Sequence, residues 1–186
     1  MKFFFYVLLI FAPVINSMER VNVNHAGEER SYLLFLPTVK KESYKLVIGL
    51  HGFSGSASGF EKETTGGFNR YAEEQGLIVV YPQGKYFYPS YEMQTQDGSK
   101  ITQTVYSSSW NHLGPLIKNN KEVKICEDNS QSALPFPSCS NQNSCYWTSC
   151  VNDLDFIKTI TLKIYEEFSV DKSYVMGLSN GGMMAQ

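Results

Sequence analysis

Ser173-Tyr174-Val175-Met176-Gly177-Leu178-Ser179-Asn180-Gly181-Gly182, followed by Met183-Met184-Ala185-Gln186, constrains the architecture more than any other part of the chain. Its first four residues read as a short strand, and its last four begin a helix. Gly177 to Gly181 between them fits G-x-S-x-G, in which the serine sits on a sharp, strained strand-to-helix turn. Glycines two residues to either side leave room where strand and helix approach closely. The turn lifts the Ser179 hydroxyl clear of its neighbours. It also sets the main-chain N–H of Asn180 at the positive end of the new helix, where an oxyanion forming on a substrate can be stabilised. Ser179 is therefore the candidate nucleophile and Asn180 a candidate oxyanion donor. The bland alternative is a glycine-rich turn carrying a solvated serine.

Working upstream, Tyr44 to Leu50 is a mostly apolar, β-branched run of the kind buried on both faces of a sheet. A Gly/Ser-rich turn, His51 to Gly59, comes next. In a strand–turn–helix hydrolase the loop after this strand supplies the second oxyanion donor. We assign that donor to the Phe53 N–H, with Gly52 permitting close backbone approach; each donor of this kind contributes about 3 kcal/mol to transition-state stabilisation. His51 is read as a hydrogen-bonding support of the loop and not as the general base, because the base comes after the serine in the chain order of this motif. Phe68 to Gln75 is a helix closed by Gly76, and Leu77 to Tyr81 a buried strand stopped by Pro82. Residues 20–24 and 31–36 form a hairpin around His25 to Glu28. From Asp153 the pattern turns helical, with Leu154, Ile157, Ile160, Thr161, Ile164 and Phe168 on one stripe and Asn152 or Asp153 as its cap. Strands alternating with helices imply an α/β architecture: a mainly parallel sheet with helices on both faces.

Residues 83–147 differ. They are polar, show no sustained period, and read as a long loop insertion in which Tyr86, Phe87, Tyr88 and Tyr91 are candidates to line a substrate cleft. Cys126, Cys139, Cys145 and Cys150 lie at or near its end. The start of the chain, Met1-Lys2, then ten apolar residues Phe3 to Ala12, then Asn16-Ser17, has the layout of a secretory signal peptide over 1–17, leaving a mature chain 18–186. The apolar run is too short to span a bilayer, so no stable membrane insertion is expected once the signal is removed. An oxidising compartment makes the four cysteines disulfide candidates, with three possible pairings. Without a Cys-x-x-Cys pair they do not read as a zinc site. The net charge of −2, with 16 basic and 18 acidic residues and no basic stripe, gives no support for a nucleic-acid partner.

The chain resembles the secreted esterases of the polyhydroxybutyrate depolymerase and feruloyl esterase group. The resemblance rests on Arg30 to Pro37, Leu50-His51-Gly52, Val80 to Gly84, Ser109-Trp110-Asn111, Val151 to Ile157 and Tyr174 to Met183, in family order. It implies an α/β-hydrolase fold that is incomplete at the C-terminus. It implies acyl transfer to water through an acyl-enzyme on Ser179, with no cofactor and no metal, on an ester substrate of which polymeric and carbohydrate-linked esters are two examples. Where the family carries two adjacent acids before the long helix, this chain has Asn152-Asp153, and Asp153 is read as structural. The family order of serine, acid, histidine puts the last two beyond Gln186. A peptidase of the same fold and a truncated, non-catalytic secreted binding module are the competing readings.

Overall fold

The computed structural model describes residues 18–63, 67–87, 90–104, 107–112, 116–118, 121–123 and 148–186. The expected signal segment, Cys126, Cys139, Cys145 and Tyr88 lie outside them.

The chain opens with a hairpin, β1 (Met18–His25) and β2 (Glu28–Phe35), then β3 (Tyr44–Leu50). Two helices come next, α1 (Ala57–Glu63) and α2 (Gly67–Gln75), and then β4 (Leu77–Pro82). Among its described residues, the segment expected to be irregular holds six short strands: β5 (Lys85–Phe87), β6 (Ser90–Gln94), β7 (Lys100–Thr104), β8 (Ser107–Ser109), β9 (Leu116–Lys118) and β10 (Lys121–Val123). They pair as β5–β8, β6–β7 and β9–β10, all antiparallel. The long helix α3 (Asp153–Glu167), β11 (Val170–Gly177) and the short α4 (Asn180–Met184) complete the described order.

The central sheet runs β1-β2-β4-β3-β11. β2 is antiparallel to both its neighbours, whereas β4, β3 and β11 are mutually parallel. Four of the five strands therefore point one way. The alternation of β3 decides which residue enters which core. Leu46, Ile48 and Leu50 join Ile78, Val80 and the α3 residues Phe156, Ile157, Ile160 and Ile164 on one face. Val47 joins Val79, Tyr81, Phe60 of α1 and Ala72 of α2 on the other. Helices thus cover both faces, and truncating Phe156, Ile160 or Ile164 to Ala would each cost about 2–5 kcal/mol.

Two sequence expectations need correction. Residues 57–59 belong to a helix, not to a turn. The Ser56 side chain accepts the Gly59 N–H at 3.0 Å and caps it, so the serines that suggested a turn are where the helix starts. On α3 the buried stripe uses Phe156 in place of Leu154, which is exposed. Asn152 does cap that helix, accepting from the Asp155 N–H at 3.1 Å.

Candidate active site

The parallel register sets Gly177 opposite Leu50, so β11 and β3 end side by side. The Leu178 N–H donates to the Leu50 carbonyl at 3.0 Å, which extends the pairing one residue past the strand. The segments that continue from β11 and from β3 therefore leave the sheet together, at the carboxyl edge where open α/β sheets place their ligands.

After Leu178 the chain reverses at Ser179, which is exposed and has φ 49° and ψ −116°. That conformation costs an L-residue of order 1–3 kcal/mol and persists only where the surroundings enforce it. The enforcement is steric. A methyl group on Gly177 would fall 2.2 Å from the Gly181 carbonyl oxygen, so strand and helix are in contact across the turn. The Met183 N–H then donates to the Ser179 carbonyl at 2.9 Å, starting α4. Because a trans peptide sets C=O and N–H antiparallel, holding the Ser179 carbonyl along α4 aims the Asn180 N–H the other way, out of the helix start.

The loop after β3 is fixed by the same logic. A methyl on Gly52 would stand 3.6 Å from Ser179 Cβ and 3.4 Å from the Leu178 carbonyl, so the loop lies directly against the bend. His51 is 1% exposed. Its Nε2 accepts the Gly84 N–H at 2.9 Å and faces the Gln83 carboxamide nitrogen at 3.1 Å. The proton must then sit on Nδ1, which donates to the Gly52 carbonyl at 2.7 Å. The Gly55 N–H donates to the same oxygen at 3.0 Å. With the Gly52 carbonyl held inward, the Phe53 N–H of that peptide points away from the imidazole. Burial lowers the His51 pKa, which keeps the ring neutral in this role.

Trp110, fully buried, joins the two segments. Its indole N–H donates to the His51 carbonyl at 2.8 Å, and its main-chain N–H donates to Asn180 Oδ1 at 2.9 Å. Its ring lies 4.9 Å from that of His51. Asn180 Nδ2 donates to His112 Nδ1 at 2.7 Å. Behind them Arg30 and Asp153 form a buried ion pair of 2.7 Å. The guanidinium also donates to the Gln83 carbonyl, and the carboxylate accepts from the Asn111 N–H and the Ser149 hydroxyl. His25, the third histidine, stands at the end of β1, 3.6 Å from Asp155.

A cavity of about 250 Å³ opens beside Gln83 and Gly84, lined also by Arg30, Lys85 and Tyr86. Tyr86 is the described member of the aromatic set expected at the cleft; the side chains of Phe87 and Tyr91 lie outside the described residues, as Tyr88 does. A larger cavity, about 460 Å³, opens at the other end of the sheet among Lys45, Phe68, Leu77 and Tyr174; neither cavity is lined by the bend or by the loop after β3. Among the described residues no group of three or more His, Cys, Asp or Glu could hold a metal ion, and no helix is long and apolar enough to cross a membrane. Of the four disulfide candidates, Cys150 alone lies among the described residues.

No family model matches the chain, and no curated protein matches it. Solved structures do. A thermostable esterase is 20% identical with a TM-score of 0.50, over 92% of this chain and 36% of that one. The S-formylglutathione hydrolase of Agrobacterium tumefaciens is 15% identical with a TM-score of 0.49, over 89% of this chain and 50% of that one. The acetyl xylan esterase of Aspergillus awamori is 17% identical with a TM-score of 0.48, over 89% of this chain and 44% of that one. The chain has the α/β-hydrolase fold. It spans half or less of the length of these three proteins. Ser179 and Asn180 lie at the bend that follows β11, and Gly52 and Phe53 in the loop that follows β3.

Trp110, the Asn180 side chain and Gln83 carry no role that their sequence positions alone suggest. Ser109-Trp110-Asn111 figured only as part of a resemblance. The one local signal was a tryptophan inside an otherwise polar stretch, since a buried indole needs a partner for its N–H.

Proposed function

We propose that this chain is the nucleophile-bearing part of a secreted serine esterase that hydrolyses carboxylic esters through an acyl-enzyme on Ser179. One observation carries the reading: a serine in a strained, exposed strand-to-helix bend stands 3.6 Å from where a Gly52 side chain would begin, beside the Gly52–Phe53 peptide whose carbonyl is pinned away from it. The Ser179 hydroxyl oxygen attacks the ester carbonyl as its proton passes to a histidine. The negative charge on the former carbonyl oxygen is met by the Phe53 and Asn180 N–H groups. Collapse of the tetrahedral species expels the alcohol, and water then releases the acid. No step needs a metal or an organic cofactor.

His51 commits Nδ1 to the Gly52 carbonyl and Nε2 to the Gly84 N–H, His112 accepts from Asn180, and His25 lies against Asp155. The base and its acid are therefore assigned to sequence continuing past Gln186, in keeping with the order serine, acid, histidine. Residues 1–17 support export, and the four cysteines support disulfides formed there. Polymeric, feruloyl or acetyl and small acyl esters share the chemistry the site offers.

The test is the protein translated through the coding sequence beyond codon 186, assayed on p-nitrophenyl acyl esters and on peptide anilides. Ester turnover that Ser179→Ala lowers by more than about 10³-fold supports the reading. Turnover confined to the anilides makes the protein a peptidase. Unchanged ester turnover in the alanine variant removes Ser179 from the chemistry.

A further inference from the structure

We propose that Trp110 is a positioning residue for the oxyanion hole, and that it fixes the distance between the two donors by holding the segment that bears each of them. The inference rests on the esterase reading above and adds a residue that the reading does not require.

The two donor peptides belong to parts of the chain more than a hundred residues apart, and each is pinned within its own segment. Gly52–Phe53 is held by the His51 imidazole and the Gly55 N–H, and Ser179–Asn180 by the first turn of α4. Neither set of bonds fixes one segment against the other. A tetrahedral oxyanion needs both N–H groups about 2.7–3.1 Å from one point, so their relative placement is what transition-state binding depends on. The bond from the Leu178 N–H to the Leu50 carbonyl aligns the strand ends, and Trp110 braces the loop and the bend beyond them with two donors of its own. The indole N–H takes the His51 carbonyl at 2.8 Å, two residues before Phe53. The main-chain N–H takes the Asn180 carboxamide oxygen at 2.9 Å, on the residue that carries the other oxyanion N–H. Both bonds are buried, so breaking either leaves a desolvated group without its partner.

The strand before Trp110 reinforces the loop side. The Ser54 N–H donates to the Ser108 carbonyl at 2.8 Å, the Ser54 and Ser107 hydroxyls meet at 2.7 Å, and the Ser108 hydroxyl donates to the Gly55 carbonyl. Ser54 itself has φ 57°, a strained conformation that these contacts hold. The stretch 107–110 is thus a splint laid along the oxyanion loop, and Trp110 is the point at which it crosses to the nucleophile bend.

Trp110→Phe in the full-length protein removes the indole N–H while keeping most of the packing. Rates are referred to the serine titrated by a fluorophosphonate, so that misfolded protein is not counted. The expected result is a fall in kcat of about 10- to 100-fold with KM changed less than about twofold, because a donor displaced by a fraction of an ångström weakens only the transition state. Ile160→Ala, which empties part of the α3 core without touching either loop, is the control; it should lower Tm and leave kcat per titrated serine unchanged. Should Trp110→Phe fail to fold, Asn180→Leu removes the other acceptor, and the same kcat-specific loss is expected. An unchanged kcat per titrated serine in Trp110→Phe, or in Asn180→Leu where that variant stands in, overturns the proposal. So does an equal fall in the Ile160→Ala control. If the parent itself turns over no ester, the esterase reading fails first and this inference falls with it; a working parent with an indifferent Trp110 sinks the inference alone.

Discussion

A methyl group placed on Gly181 would stand 2.3 Å from the carbonyl oxygen of Leu50 and 2.4 Å from that of His51. The first turn of α4 therefore rests directly on the end of β3. The contact is between backbones, which no rotamer change can relieve. Gly181→Ala should cost the protein more than about 2 kcal/mol, seen as a lowered urea midpoint, or should push α4 off β3. Gly182→Ala meets its nearest backbone atom at 3.0 Å and should be the milder change of the two. Equal midpoints for the two variants would show that the helix is not seated on the strand.

The sheet and its two cores were legible because they rest on local patterns. The runs 44–50 and 77–81 are β-branched and apolar, and each became a parallel strand buried on both faces. The turn at Ser179 was legible because glycines at fixed offsets are a steric requirement that a sequence displays directly. The brace was not. Trp110 and Asn180 meet across a separation of 70 positions, and nothing in the spacing of either announces the other. Residues 57–59 read as turn because serine serves turns and helix caps alike, and the Gly59 N–H on Ser56 Oγ with the Phe60 N–H on the Ser56 carbonyl makes this one a cap. The Arg30–Asp153 pair was invisible for the same reason of distance.

That ion pair should respond asymmetrically. Removing Asp153 leaves a guanidinium that cannot shed its proton, held by the Gln83 carbonyl and by the Phe156 face 4.0 Å away, and it strips an acceptor from the Asn111 N–H and the Ser149 hydroxyl. Removing Arg30 leaves a carboxyl group that keeps those two donors. Asp153→Ala should therefore cost about 3–5 kcal/mol in equilibrium unfolding, and Arg30→Met clearly less. The reverse ranking would mean that the guanidinium, not the carboxylate, organises this corner.

His51 gives the stability a pH signature. Burial holds its folded-state pKa below the ordinary value of 6.5. Above that value the ring is neutral whether the chain is folded or not, and its contribution is constant. As the pH falls below 6.5 the unfolded chain takes up a proton that the folded one refuses, so stability drops until the folded ring protonates too. A protonated ring would also lose Nε2 as the acceptor of the Gly84 N–H. Urea midpoints measured from about pH 7.5 down to about pH 5 should fall more steeply for the parent than for His51→Gln. Parallel profiles would show that this imidazole does not resist protonation.

The strain at Ser179 is open to a direct measurement. With φ 49° and ψ −116°, the residue sits where glycine is at ease and every L-side chain is crowded. Alanine at this position removes the hydroxyl but keeps Cβ, and so keeps the strain. Glycine removes both. On the esterase reading the two variants are equally inactive, so any difference between them reports on the backbone and not on the chemistry. Ser179→Gly should be more stable than Ser179→Ala by about 1 kcal/mol, after allowance for the extra freedom glycine gives the unfolded chain. A glycine variant no more stable than the alanine one would mean that the bend is relaxed, and that nothing is stored in holding the hydroxyl out from the sheet.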